Sequence, residues 1–142
     1  MYRDSFVKIK LDKGAIAPTR AHPWDAGLDL YATVDCVIGV GNRQTFDTGV
    51  HVQIPEGFVG FIKSKSGLMT KHGLLTDGTI DAHYTGSIKV CLFNNGLVEY
   101  PVHAGDKIGQ LVIFPCMLPK LELVDILEET DRGDNGFGST GK

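Results

Sequence analysis

The sequence has 142 residues, with 14 Lys+Arg against 17 Asp+Glu and a formal net charge of -3. This is about one domain's length of chain with no basic excess, which argues against a broad nucleic-acid-coating surface. Hydrophobic residues make up 42%, and no apolar run approaches the roughly 20 residues needed to cross a bilayer.

The first residues, Met1 to Lys10, alternate charged and apolar types without the apolar block of a secretory signal, so a cytoplasmic protein is expected. Period-two or continuous apolar patterns then mark strands in chain order: Val7, Ile9 and Leu11; the apolar run Ala26 to Ala32, which contains Asp29; Val50, Val52 and Ile54; and Phe58 to Ile62. Asp29 needs a partner in such a strand, a metal-bound water being one option. Lys63-Ser64-Lys65-Ser66-Gly67 follows, with two ammonium groups and two hydroxyls where a strand runs into a short helix, a combination suited to an anion. That helix is expected over Ser66 to Gly73, opened by Ser66 as N-cap and closed by a glycine. Gly78 to Gly86 reads as a hairpin-like segment carrying Asp81 and Tyr84. Further strands are expected at Ile88, Val90 and Leu92, at Val98, Tyr100 and Val102, and at Leu111 to Phe114.

Turn signals such as Asn94-Asn95-Gly96 separate these strands at intervals suited to an all-β fold. Glycine, at 18 residues, is nearly twice its usual share and fits the same picture. The three cysteines lack any Cys-x-x-Cys spacing and are expected as reduced, mostly buried thiols. The five histidines show no ligand spacing and are read as structural or surface groups. From Glu128 the chain becomes polar and glycine-rich. Arg132, several glycines, Ser139 and Thr140 are phosphate-binding types, and Phe137 offers a face for a base. The expected division is a β domain over 1–127 and a flexible arm over 128–142.

Taken in order, five segments resemble the motifs of the trimeric deoxyuridine triphosphatase (dUTPase) family. They are Ala26-Gly27-Leu28-Asp29-Leu30; Lys65-Ser66-Gly67-Leu68; Gly78-Thr79-Ile80-Asp81 with Tyr84-Thr85-Gly86; Gly105-Asp106-Lys107-Ile108-Gly109-Gln110-Leu111; and Arg132-Gly133 with Gly136-Phe137-Gly138-Ser139-Thr140-Gly141. The resemblance implies a distorted β-barrel or jelly-roll-like subunit with one short helix. It also implies a homotrimer whose active sites draw on all three subunits, and Mg2+-assisted cleavage of dUTP to dUMP and pyrophosphate.

Carried over motif by motif, it makes Asp81 the base for the attacking water and places Tyr84 against the deoxyribose. The backbone at Gly78 and Ile80 reads uracil, while Lys65, Ser66, Gly67 and Gln110 hold the phosphates. Asp29 binds Mg2+ through water, and Arg132, Phe137, Gly138, Ser139 and Thr140 close over the nucleotide.

Three departures stand out. Ser64-Lys65 replaces the family's usual Pro-Arg, keeping charge but losing a bidentate fork; Ala82-His83 precedes Tyr84 where a second aspartate is usual; and the loop from Leu74 to Asp77 is short and lacks an asparagine. A dCTP deaminase of related fold is disfavoured by the tyrosine-bearing third motif and the complete glycine-rich tail. A nucleotide-gated module that docks a protein partner is a secondary reading, since no large insertion supplies a docking surface.

Overall fold

The computed structural model describes residues 5–141. Ten strands and one helix follow in chain order: β1 (Lys8–Leu11), β2 (Leu28–Tyr31), β3 (Cys36–Ile38), β4 (Arg43–Gln53), β5 (Phe58–Lys63), α1 (Ser66–His72), β6 (Leu74–Leu75), β7 (Asp77–Ile80), β8 (Ser87–Asn94), β9 (Tyr100–Val102) and β10 (Lys107–Pro115). All named pairings are antiparallel, giving one four-stranded sheet ordered β1-β4-β8-β6, a second ordered β2-β10-β5-β7, and a small β3-β9 ribbon. The expected all-β architecture with one short helix is observed, as open sheets rather than a closed cylinder.

Alternation explains the core. β8 turns Ile88, Val90, Leu92 and Asn94 inward, where the three apolar residues meet Phe46, Val50 and Val52 of β4 and Leu30, Ile62, Ile108 and Leu111 of the second sheet in one buried cluster. Asn94 and Thr48, two of the polar residues buried with it, are satisfied, whereas the buried Thr76 hydroxyl has no hydrogen-bond partner among the described residues. Asn94 donates to the Ile38 carbonyl at 2.8 Å and the Val98 carbonyl at 2.9 Å, and it accepts from the Gly96 N–H at 2.9 Å. Thr48 donates to the Ile88 carbonyl at 2.6 Å. β4 serves two partners through an irregularity between Asp47 and His51. Gly49 within it has φ +67°, and a Cβ there would lie 2.8 Å from the Ala15 Cβ.

Four local expectations are corrected. Ser66 is not the N-cap: Lys65 occupies that position with an extended backbone and no side-chain cap, so Ser66 is the first helical residue. The closing glycine is as expected, since Gly73 takes the left-handed conformation and its N–H reaches the Leu68 and Met69 carbonyls. The stretch expected as a loop from Leu74 to Asp77 contains strand residues on both sides of Thr76. β6 pairs with β8 in one sheet and β7 with β5 in the other, so the chain changes sheets within a single residue. For the same reason Gly78 to Gly86 is no hairpin, because β7 and β8 lie in different sheets. The cysteines are free thiols but half-buried rather than buried.

After β10 the described chain has only turns and irregular backbone. Leu118, Leu121, Leu123, Ile126 and Leu127 are all more than three-quarters exposed there, at 76%, 92%, 101%, 84% and 81%. No helix among the described residues is long and apolar enough to cross a membrane.

Candidate active site

Asp29 is the polar centre of the second sheet. β2 places it opposite Gln110 of β10, its backbone is bridged to Thr19, and it is 3% exposed. A carboxylate so buried needs cations, and two supply them: Lys65 Nζ lies 2.5 Å from Oδ1 and Lys107 Nζ 3.1 Å from Oδ2. Burial pushes the Asp29 carboxyl up, but the hydrogen bonds and charges of Lys65 and Lys107 outweigh it and hold the group below its ordinary value. The same contacts raise Lys107. At neutral pH the trio carries one net positive charge.

Lys107 is the residue that sequence reasoning missed. Its link to Asp29 depends on a register shift between Lys107 and Gly109, which no periodicity reveals. The Lys65 ammonium is turned onto Asp29 rather than outward, with 29% of its side chain exposed.

Gln110 belongs to the same region. Its amide donates to the Ser64 carbonyl at 3.0 Å, and it fills the space a side chain at Gly27 would take, since a Cβ there would lie 2.0 Å from its Oε1. Ser64 is fixed in turn: its hydroxyl donates to the Thr76 carbonyl at 3.0 Å and accepts from the Thr76 N–H at 2.9 Å. Ser66 and Gly67 are exposed in the first helical turn, where the space a Gly67 side chain would occupy is open and main-chain donors lack helical acceptors. Lys65, Ser66, Gly67, Gln110 and Asp29 are thus brought together.

Asp81 and Tyr84 lie elsewhere. β7 runs antiparallel to β5, with Asp77 opposite Lys63 and Ile80 opposite Gly60. Asp81 therefore follows the end of β7 remote from Lys65, and Asp77 to Asp81 spans about 13 Å at a strand's rise. Its carboxylate is exposed and has no side-chain partner among the described residues.

A tight turn follows, in which the Tyr84 N–H donates to the Asp81 carbonyl at 3.1 Å and His83 takes φ +70°. The Tyr84 hydroxyl donates to the Ser87 carbonyl at 3.0 Å, and its ring covers Gly86, where a Cβ would come within 2.6 Å of that hydroxyl. Gly78 and Ile80 sit on β7, an outer strand of its sheet. In the tail, Arg132 Nε donates to the Asn135 carbonyl at 3.0 Å, the Ser139 N–H to the Gly136 carbonyl at 2.9 Å, and Phe137 is fully exposed. Gly138 and Thr140 are exposed in the same turns, and the tail's hydrogen bonds run among its own residues.

The described residues include no group of three or more His, Cys, Asp or Glu placed to hold a metal. One ionised carboxylate fits only a cation that draws its other ligands from water and a bound polyanion, as Mg2+ does.

An open two-sheet β fold, with a lysine-flanked buried carboxylate at one end of a strand pair and an unpaired carboxylate beside a tyrosine at the other, defines an all-β protein with a divided polar site. The dUTPase family model matches residues 13–141. The chain is 48% identical over 139 residues to the deoxyuridine 5'-triphosphate nucleotidohydrolase of Corynebacterium glutamicum, covering 94% of this chain and 93% of that protein. It is 42% identical over 138 residues to the probable deoxyuridine 5'-triphosphate nucleotidohydrolase of Schizosaccharomyces pombe, covering 96% and 99%. The dUTPase of Staphylococcus bacteriophage 80alpha, solved with dUPNHPP, superposes with a TM-score of 0.91 at 32% identity over 97% of this chain and 99% of that one. The dUTPase of phage phi11, a D95N mutant whose structure concerns coordination of a structural Mg(II) ion, gives 0.80 at 30% identity, covering 87% and 99%. The chain belongs to the dUTPase family.

Proposed function

We propose that the chain is a dUTP diphosphatase that hydrolyses dUTP to dUMP and pyrophosphate, limiting uracil in DNA and supplying dUMP for thymidylate. The observation that carries the chemistry is Asp81: exposed, unpaired, and fixed at a strand end beside the anchored Tyr84. Its carboxylate orients a water and takes its proton as the water oxygen bonds the α-phosphorus. The α-phosphorus to bridging-oxygen bond breaks, and pyrophosphate leaves. Tyr84 packs on the deoxyribose, where a 2′-hydroxyl would clash, and the main chain of Gly78 and Ile80 on the outer strand β7 reads the uracil edge.

Ser66, Gly67 and Gln110, with Lys65 and the net positive charge around Asp29, hold the phosphates. Asp29, kept ionised by its two lysines, would hold Mg2+ through water, and the ion would supply neutralisation of the phosphate charge. Arg132 pairs with the γ-phosphate, Phe137 stacks on uracil, and Gly138, Ser139 and Thr140 complete the cradle.

One chain holds these groups at opposite ends of β5 and β7, which supports a homotrimer whose sites combine groups from different subunits. The exposed leucines and isoleucine between 118 and 127 support the same assembly, because a sheet edge or groove on a neighbour would bury them. In this reading residues 1–127 form the body, residues 128–142 the closing arm, and the enzyme works in the cytoplasm.

Pyrophosphate release from dUTP, dCTP, dTTP and UTP, with Mg2+ or EDTA, tests the reading. Selective Mg2+-dependent cleavage of dUTP is expected. Ammonia from dCTP would replace the proposal with a deaminase, and no release from any nucleotide would refute it.

A further inference from the structure

Among the described residues, three side chains outside the segment from Asp81 to Ser87 bond to it, one of them Asp47, which accepts from the Ser87 hydroxyl. Glu56 meets the exposed His83 at 2.8 Å, and His51 reaches the main chain. His51 lies on β4, between Lys10 of β1 and Ser87 of β8 in register. Its Nδ1 is 2.7 Å from the Thr85 carbonyl oxygen and its Nε2 is 3.0 Å from Asp12 Oδ2.

A carbonyl oxygen only accepts, and so does an ionised carboxylate, so both ring nitrogens must donate. A neutral imidazole has one N–H and satisfies only one of these neighbours. We propose that His51 is a positioning residue for Asp81 and Tyr84: as an imidazolium clamped between Asp12 and the Thr85 carbonyl, it fastens the loop that carries them. The proposal rests on the reading of Asp81 and Tyr84 given above.

The surroundings favour the charged form. Asp12 and the Thr85 carbonyl raise the His51 pKa, against some desolvation and the like charge of Lys10. Asp47, on β4 itself, contributes a further negative charge and is tied to Ser87 on the neighbouring strand. Lys8 lines the hollow beside His51, and Glu56 and His83 line a neighbouring hollow that Thr85 shares. The clamp is complete below the raised His51 pKa. Above it one N–H is lost, and the ring donates to Asp12 or to the Thr85 carbonyl, not both.

Two variants separate positioning from bulk. An asparagine amide can stand in for Nδ1 and keep the bond to Thr85, whereas a glutamine amide stands in for Nε2 and keeps only Asp12. His51→Asn is expected to retain kcat within about threefold and, unlike the unmodified protein, to show no fall in kcat as pH rises through the His51 midpoint. His51→Gln is expected to lower kcat about tenfold, the scale of one lost hydrogen bond to a charged group, with a smaller change in KM. Equal effects of the two variants would overturn the proposal.

Nitrogen-15 NMR of the histidine rings in the nucleotide-free protein provides a readout that needs neither turnover nor a His51 variant. Below its raised midpoint both His51 nitrogens should be protonated. The amides of residues 82–86 should titrate with the ring, and Asp12→Asn should move that midpoint down. A His51 midpoint at or below the ordinary 6.5, or loop amides indifferent to the ring, refutes the clamp. Absence of dUTP cleavage by the unmodified protein would instead strike the functional reading, leaving the NMR result to decide the clamp.

Discussion

Replacing Asp29 by asparagine keeps the shape of the side chain and removes the charge around which Lys65 and Lys107 are arranged. Removing one partner from a fully buried ion pair costs about 3–5 kcal/mol, because the remaining charge is stranded. Here the stranded groups have an exit, since the Lys65 and Lys107 side chains are 29% and 46% exposed, and the expected loss falls to about 2 kcal/mol. Urea unfolding followed by far-ultraviolet circular dichroism at one fixed protomer concentration measures it, with the midpoint lowered and the slope unchanged.

The pH dependence has a definite sign. The ordinary Asp29 value is 3.8 and the folded value lies below it, so the stabilisation from its ionisation is fully present above that ordinary value. It is lost as pH falls through the depressed folded one. The gap between the two proteins should therefore be constant near neutrality and close in acid. Equal midpoints at pH 7, or a gap that persists unchanged at low pH, would refute the account of the cluster.

Asp81→Asn should reduce dUTP turnover by at least about a thousandfold while leaving nucleotide affinity within a few-fold, by pyrophosphate assay and calorimetry. Gly27→Ala, which drives a Cβ against Gln110 Oε1, should cost under about 1 kcal/mol in urea melts yet raise KM for dUTP several-fold, because the flexible amide can move but only away from Ser64. Gly73→Ala combines a left-handed backbone with a Cβ 2.7 Å from the Gly96 main chain, so a loss of more than about 2 kcal/mol is expected by the same melts. Truncation after Leu127 should leave the circular dichroism spectrum and melting midpoint unchanged and abolish turnover.

The strands most legible in the sequence are those whose alternation serves a single core. Ile88, Val90 and Leu92 in β8 and Val50, Val52 and Ile54 in and just after β4 needed no tertiary information. The first half of β4, with Arg43, Gln44, Thr45 and Asp47 exposed, has no apolar period and owes its existence to pairing with β8. β6 and β7 were hidden because a two-residue strand and a glycine-containing one carry little propensity. Their identity comes from which sheet each joins on either side of Thr76.

The site follows the same division. Residue types and motif order pointed to Asp29, Lys65, Gln110 and Asp81, but not to what Asp29 touches. Lys107 lies 78 positions along the chain from Asp29, and the register shift that aims it there leaves no mark on local composition. The sequence alone marks His51 as no more than a structural or surface group. Its two acceptors, Asp12 and Thr85, come together only when β1, β4 and the turn before β8 are folded.

The separation of Asp81 from Lys65 by the length of β7 has a genetic consequence. In the proposed assembly, with sites composed across subunits, a chain damaged at Asp81 and a chain damaged in the phosphate-holding cluster each still carry the part the other lacks. Two inactive forms mixed as subunits should regain some activity that neither has by itself. A single damaged form mixed with the intact one should lose sites only in proportion to its share of the chains, because each chain lends the damaged part to one site, although that site combines it with an intact neighbour's groups.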